Sequence, residues 1–442
     1  MKRHISRRSF LKKVAGATSA AVFIGPQILS ARSPNEKVGF AFVATGGQGG
    51  AGLGMANEGV CVAYCDVDKN HWGGMPKKWP KAKAYTDYRK MFENHMKEID
   101  AVAVATPDHN HATASLMAMK EGKGVYCEKP LTWSVAEARA MAEMCAKKKV
   151  PTQMGNHEHA NDGNRRVVGW VRSGAIGEIK EVHTWTNRPV WGQGIKKRPP
   201  SKPVPENLDW EAWLGPAPFR EFHDGLHGFH WRGWFDFGCG AVGDMGCHTW
   251  DCVNWAMEPS YPTSVQLLAM EGDGRPETFP KKSHFKWEFP AKGKRAAFTA
   301  HWYAKLKPPV PECMEGRRLS DSGSLFLGSK ATLYVPGDYG GGPRIEPKEK
   351  RKEIGDAPKL IERSPGHRRE FLMAVKGEKP WDFPKSNFTY AGPMTELMLL
   401  GCIAIHIGEV GFEIKCDPAK REVITPKAKA YVSRVPRKGW EV

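Results

Sequence analysis

The sequence predicts an α/β protein of two domains. The first is a doubly wound parallel sheet with helices on both faces. The second is an α+β domain with a large, mostly antiparallel sheet. Three observations carry this. Between Val38 and about Asn156, apolar strand-like runs alternate with helical stretches. A glycine-rich turn follows the first of those runs directly. Past Asn156 the alternation stops, and strand-like segments follow one another without helices between them. The chain of 442 residues is long enough for both domains.

The first 31 residues stand apart from this plan. They hold six basic residues, Lys2, Arg3, Arg7, Arg8, Lys12 and Lys13, and no acidic one. Residues 14–25 form an apolar stretch too short to span a bilayer as a helix. Basic, then apolar, then small-residue order is the layout of an export signal. Arg7-Arg8 followed by Phe10-Leu11-Lys12 resembles the twin-arginine signal, so residues 1–31 are expected to be a signal peptide and the protein periplasmic or otherwise extracytoplasmic. Ala31 suits a cleavage point whereas Leu29 is not small, which leaves two outcomes: a cut nearby, or a retained signal acting as a membrane tether. No other segment reads as apolar enough to span a bilayer. Without the six signal charges the formal net charge of +18 falls to about +12, spread along the chain. That is a solvated surface, not a nucleic-acid-binding arm. The ten cysteines form no C-x-x-C pair. Twin-arginine export delivers folded proteins, so they read as small core residues.

The first domain unfolds in order as VGFAFVA, the turn TGGQGG, then AGLGMANEG; a second strand, VCVAYCD, ends at Asp66. IDAVAVA runs into Thr106-Pro107, and GKGVYCEKP holds a further short strand. HATASLMAMKEG and VAEARAMAEMCAKKK supply helices between them. Aligned on the strand end, the G-x-G-x-x-G frame of a dinucleotide loop falls on Ala44, Gly46 and Gly49; the literal match, Gly47, Gly49 and Gly52, starts three residues later. The strand-end register is preferred, with Ala44 expected to turn at negative φ. Thr45, Gly46, Gly47, Gln48 and Gly49 would then approach a pyrophosphate through backbone N–H groups. Asp66, twenty residues past Gly46 at the end of the second strand, would accept hydrogen bonds from an adenosine ribose and repel a 2′-phosphate. NAD is therefore expected over NADP, in a Rossmann-like domain covering residues 35–156.

Residues 105–132, ATPDHNHATASLMAMKEGKGVYCEKPLT, closely resemble the glucose–fructose oxidoreductase, inositol dehydrogenase and MocA-type family. MGNHEHANDGNRR, SGAIGEIKEVHTWTNRPVW and GAVGDMGCHTWDCVNW agree with it, and the likeness runs from about Val38 to LLGCIAIHIG. The Glu-Lys-Pro at 128–130 and the Asp-x-x-x-His at 244–248 are its most specific parts. The resemblance implies a catalytic set of Lys129, Asp244 and His248, and a cis peptide at Lys129-Pro130. It places Thr106, His109, Glu128, Lys129 and Asn156 along the dinucleotide, with His157 on the substrate side. The residues also speak for themselves. Lys129 closes a strand at the carboxyl edge of the sheet, where partial desolvation near other cations is expected to lower its pKa. Asp244 and His248 are four apart and share one face of a helix. A histidine there can take a hydroxyl proton while hydride leaves the same carbon. The pairs His109/His111 and His157/His159, and the group His223, His227 and His230, have no cysteine or carboxylate set spaced to complete a metal site, so no metal is expected.

The second domain is placed at residues 157–415, with strand-like IKEVHTWTN, TSVQLLAME, KWEFP, AAFTAHWYA and LFLGSKATLYV, and with helices returning to the first domain in HRREFLMAVKGE and AGPMTELMLLGCIAIHIG. Residues 416–442 read as a tail. The insert 189–237, rich in Pro, Gly, Trp and His, reads as an active-site wall. Trp191 and Trp234 are expected to stack on a sugar ring, and Arg188 and Arg232 to bind hydroxyls or a carboxylate. Taken together, the sequence points to an exported NAD-dependent oxidoreductase acting on a hydroxyl of a sugar, glycoside or cyclitol, with a tightly bound, recycled cofactor. A homo-oligomer is expected. One alternative is an NAD-dependent glycoside hydrolase working by transient C3 oxidation and elimination. The other is a non-catalytic sugar-binding protein, against which the intact Lys129, Asp244 and His248 argue.

Overall fold

The computed structural model describes residues 37–442. The expected signal peptide, with its cleavage or tethering, lies outside the described residues. Six strands form the first sheet: β1 (Val38–Val43), β2 (Gly59–Cys65), β3 (Lys83–Tyr85), β4 (Ala101–Val104), β5 (Gly124–Cys127) and β6 (Thr152–Met154). Their order is β3-β2-β1-β4-β5-β6, and every neighbouring pair is parallel. Parallel strands need crossovers that cover both faces, which is why β1, β4 and β5 read as unbroken apolar runs. The crossovers include α1 (Gln48–Gly52), α2 (His111–Lys120) and α3 (Val135–Lys148). Ser134 and Glu137 start α3 with a reciprocal capping box, and Lys149 ends it in the left-handed region at φ 52°.

Nine strands form the second sheet: β7 (Ile179–Thr186), β8 (Ser264–Glu271), β9 (Lys282–Phe289), β10 (Phe298–Ala304), β11 (Gly323–Gly328), β12 (Thr332–Pro336), β13 (Arg344–Glu346), β14 (Glu413–Asp417) and β15 (Glu422–Val423). Their order is β13-β12-β11-β7-β10-β9-β8-β14-β15, antiparallel throughout except between β7 and β10. Along β9 burial alternates residue by residue, as a sheet with one covered face requires. Phe285, Trp287 and Phe289 point to the core, and Trp287 Nε1 donates to the Leu397 carbonyl at 2.8 Å.

That carbonyl belongs to the longer of two helices that close the core, α4 (Gly240–Thr249) and α5 (Phe388–Ile407). Among the described residues α5 is the one helix long and apolar enough to cross a membrane, at mean hydropathy 1.4 over its best window. This corrects the expectation that nothing past the signal is so apolar. The cause is packing: 83% of that window is buried, between α3 of the first domain and the second sheet. Gly401 sits where any side chain would overlap the Phe285 ring, so helix and sheet touch at van der Waals distance.

The 416–442 tail is part of the folded body. The boundary at 415/416 falls inside β14, and Trp440 is buried against Tyr88 and Arg89 of the first domain. Nine of the ten cysteines are buried, Cys313 partly so, and all are free thiols.

Candidate active site

The carboxyl ends of β1, β2, β4, β5 and β6 open into one crevice, the position at which doubly wound sheets bind ligands. Facing them are α4 and the insert 189–237. Between lies a cavity of about 1010 Å³. At its nucleotide end the strand-end register of the glycine loop holds. Gly49 packs on the Ala44 carbonyl, and α1 begins at Gln48 with Gly47 at φ 52° as its N-cap. Ala44 itself does not turn at negative φ as expected. It sits at φ 70°, with its N–H donating to the Cys65 carbonyl at 2.8 Å, an unusual choice costing about 1–2 kcal/mol relative to glycine.

Asp66 lines the cavity, yet its carboxylate is already engaged by the chain's own donors. Oδ2 accepts from the N–H groups of Thr45 at 2.8 Å and Gly46 at 3.1 Å; Oδ1 accepts from Asp68 N–H and lies 3.1 Å from His71 Nδ1. Burial opposes the charge, but the His71 and backbone donors together hold its carboxyl below the usual range. Asp66 thus fixes the loop as well as placing negative charge beside it. The loop fits a pyrophosphate: Gly46 and Gly47 line the wall, a side chain at Gly47 would meet open space, and the buried Thr106 hydroxyl on the same wall has no partner.

Midway along the crevice, Lys129 follows β5 and the peptide Lys129-Pro130 is cis. Its Nζ donates to Asp244 Oδ1 at 2.7 Å and to the Asp244 carbonyl at 3.3 Å, reaching from the first domain to α4. Arg232 Nε lies 3.4 Å from the same Oδ1, and its Nη1 donates to Asp108 Oδ1 at 3.1 Å. Two cations and two carboxylates therefore share one buried patch. The expected lowering of the Lys129 pKa does not occur. Burial pushes it down, but the Asp244 carboxylate more than offsets this and raises it. Against its own burial, Arg232 and Lys129 hold Asp244 far below the carboxylate range. Arg232 is likewise not a free substrate ligand, being tied into this patch over the Trp191 and Trp231 rings.

One turn further along α4, His248 Nδ1 lies 2.9 Å from Glu158 Oε1. Burial works against an imidazolium here, yet the neighbouring Cys247 sulfur and the paired Glu158 carboxylate together hold the His248 pKa well above the ordinary histidine range. With Nδ1 committed to Glu158, Nε2 is the nitrogen left to the cavity. Glu158 stands on the turn His157–Ala160, pinned from beneath by His159, which meets Asp251 at 2.9 Å and stacks on Trp255.

Of the residues read from sequence, Gly46, Gly47, Gln48, Asp66, Thr106, Glu128, Lys129, His157, Arg188, Trp191, Arg232, Asp244 and His248 all line this one cavity. Five others do not. Thr45 and Gly49 lie behind the loop, the first bonded to Asp66 and the second packed on β1. His109 is fully buried, its nitrogens 2.9 and 3.2 Å from the Trp213 and Phe237 carbonyls, and burial pushes its pKa down to about 3. Asn156 turns inward to accept from the Ser386 hydroxyl at 2.6 Å. Trp234 is core, donating to the Gly225 carbonyl, and Trp231 takes the wall position instead. Sequence reading missed Glu158, Trp213, Trp231, His71, His227 and Tyr339. Glu158 carried a signal, since it stands next to His157 in a block that resembles the family; Trp213, His227 and Trp231 depend on the path of the insert, and His71 and Tyr339 on turns after β2 and β12.

That path bends over the nucleotide end. Asp209 N–H donates to the Val67 carbonyl at 2.8 Å, and Lys69 N–H to the Asn207 carbonyl at 3.0 Å. Asn207 Nδ2 donates to Asp68 Oδ1 at 2.7 Å, and His227 Nε2 lies 3.0 Å from Asp68 Oδ2. The insert is thus a strap latched onto the residues just after Asp66.

Comparison with known proteins agrees with the geometry. Residues 55–156 match the profile of an oxidoreductase family with an NAD-binding Rossmann fold, and residues 164–275 match that family's C-terminal α/β domain. The chain belongs to the Gfo/Idh/MocA oxidoreductase family. The inositol 2-dehydrogenase of Rubrobacter xylanophilus is 32% identical over 160 residues, 35% of this chain and 45% of that protein. The 2,7-anhydro-N-acetylneuraminate hydratase of Escherichia coli is 32% identical over 96 residues, 21% of this chain and 26% of that one. The chain thus spans less than half the length of these two curated relatives. An inositol dehydrogenase homolog from Azotobacter vinelandii, solved with NADH and myo-inositol, shares the fold at TM-score 0.57 and 16% identity, over 86% of this chain and 98% of its own.

Two outcomes follow from this family member's geometry. Asp66→Ser removes both the charge and the loop's anchor, so NAD affinity should fall and the margin over NADP should narrow in equilibrium titrations. Equal binding of both cofactors by the unaltered protein would contradict the role given to Asp66. An imidazole must be neutral to accept a proton, so any reaction that uses His248 Nε2 as a base should speed up as pH rises through its elevated pKa. Glu158→Gln removes a charge that raises it, and the rising limb of kcat/KM should move to lower pH; an unmoved limb would separate Glu158 from the base.

Proposed function

We propose that this protein is an NAD-dependent oxidoreductase acting on a ring hydroxyl of a sugar, glycoside or cyclitol. The observation that carries the reading is the convergence of Lys129, Asp244 and His248 on one cavity beside the glycine loop. Nicotinamide, when bound, supplies the hydride acceptor. His248 Nε2 takes the hydroxyl proton, and Glu158 stabilises the imidazolium that results. Lys129, held protonated by Asp244, donates to the substrate oxygen and stabilises the negative charge that develops there. Trp191 and Trp231 offer flat faces to the C–H side of a ring. His157, pushed down to about 4 by burial, is neutral; its Nε2 lies 3.4 Å from the Tyr126 hydroxyl, which leaves Nδ1 to meet a substrate hydroxyl. Relatives named for oxidation of inositol support the substrate class.

We further propose that the protein is exported and that its cofactor is kept and regenerated within each cycle. The twin-arginine-like start supports export of a protein already folded around NAD. The strap over Val67, Asp68 and Lys69 supports slow release. An enzyme placed outside the cytoplasm, where free NAD is scarce, gains from a redox-neutral outcome. Coupled oxidation and reduction of two sugars, epimerisation and glycoside cleavage all qualify. In the last, oxidation at C3 acidifies the C2 proton, the aglycone is eliminated, water adds, and C3 is reduced again. A relative named as a hydratase supports chemistry without net redox change in this family.

Protein purified without added cofactor should carry close to one NAD(H) per chain and turn over repeatedly on a glycoside panel. Retention of that kind needs a Kd below micromolar, beyond about −8 kcal/mol. Asn207→Ala with His227→Ala should speed NAD release. Empty protein that needs millimolar NAD and yields one NADH per product would replace this reading with a simple dehydrogenase.

A further inference from the structure

A second group of side chains lies away from the crevice, on the face of the large sheet turned away from α5. Phe285 and Trp287 face the core, so His284 and Lys286, which alternate with them, face outward. On β7, Glu181 and His183 are two residues apart and share a face. On β10, His301 pairs in register with His183 and with Lys286, which puts it on that outer face too. His183 Nε2 is 3.1 Å from Glu181 Oε1, and His301 Nε2 is 3.4 Å from the same oxygen. Bonds of about 2.0–2.1 Å at a tetrahedral angle separate neighbouring ligand atoms by roughly 3.3 Å. Both nitrogens therefore stand from the shared oxygen at near the spacing that one small divalent ion imposes, and all three atoms lie within 4.8 Å of one another.

The rest of the surroundings orient the rings the same way. His183 Nδ1 is 3.1 Å from the Tyr303 hydroxyl, and His301 Nδ1 is 3.0 Å from His284 Nε2. Each remote ring nitrogen has a polar partner, the arrangement that fixes the tautomer of ligating histidines.

We propose that Glu181, His183 and His301 form a two-histidine, one-carboxylate site for a divalent transition-metal ion, Zn²⁺ by ligand type and geometry, with its remaining position open to solvent beside the exposed Glu181. The ion ties β7 to β10 at the one parallel junction of the sheet. It is not part of the proposed reaction. It also departs from the sequence-level expectation of no metal, because the ligands meet only through strand pairing.

A second cluster, Asp68, His71 and His227, provides the control. There His71 Nε2 is 4.0 Å from Asp68 Oδ2, and the buried His227 Nδ1 has no partner to orient the ring. Tag-free full-length protein, stripped with chelator, is titrated with Co²⁺ and then Zn²⁺. Visible absorption, metal content and melting temperature are followed. One equivalent should bind, giving a cobalt band that Zn²⁺ displaces and a higher melting temperature. Binding should be lost in His301→Ala and in Glu181→Gln, the latter at a half-exposed side chain whose near-isosteric replacement leaves folding intact. Tyr303→Phe should weaken it by about tenfold or more. His227→Ala should leave it unchanged. No binding by the unaltered chain would overturn the proposal, leaving these contacts as hydrogen bonds from the two histidines to Glu181. Binding that survives Glu181→Gln and is lost in His227→Ala would overturn it too.

Discussion

The Lys129–Asp244 ion pair joins the two domains across the crevice, and the rest of the site is arranged around it. Lys129 comes from the edge of the parallel sheet and Asp244 from the helix α4, so their 2.7 Å contact fixes how the substrate side meets the nucleotide side. Burying two charges has a desolvation cost that their attraction only partly offsets, so such a pair contributes little net stability. Its value here is positional. Arg232 and Asp108 complete a neutral group of two cations and two carboxylates, which keeps Lys129 protonated and Asp244 charged.

That neutral patch explains the division of labour in the cavity. A lysine held as an ammonium is a donor and a stabiliser of negative charge, not a base. In the proposed reaction the base is then His248, on the same helix as Asp244 and with Glu158 behind its ring. The latch of Asn207 and His227 on Asp68 adds a separate property, since these two side chains meet the segment after Asp66 and not Lys129, Asp244 or His248. In the proposed cycle, retention of the cofactor and the proton transfer fall to different side chains, which makes them separable by substitution.

Much of the fold was legible because it is written locally. Strand, glycine turn and helix follow one another within residues 38–52, and the two carboxyl-edge motifs, EKP and D-x-x-x-H, lie on single elements. What the sequence hid depends on long-range packing. Trp231 and Trp234 are indistinguishable in composition, and only the 3-10 turn His230–Gly233 decides which faces the cavity. His109 matches a position that the family resemblance places along the dinucleotide, but it is buried against the carbonyls of Trp213 and Phe237, more than a hundred residues away. The pKa of Lys129 could not be read without knowing that Asp244 stands beside it. α5 read in sequence as a helix returning to the first domain, and its apolarity is explained by burial of 83% of its most apolar window. The His183–His301 pair, too, exists only because β7 and β10 lie side by side.

The central claim is that Lys129, Asp244 and His248 act together on one substrate hydroxyl. The most direct measurement is turnover of Lys129→Ala and His248→Ala on an accepted sugar or glycoside, with NAD content and melting temperature checked in parallel. The account predicts that each loses on the order of 10²-fold or more in kcat, the usual contribution of a positioned acid or base, while His248→Ala still holds its cofactor. Near-wild-type kcat in both variants would contradict it.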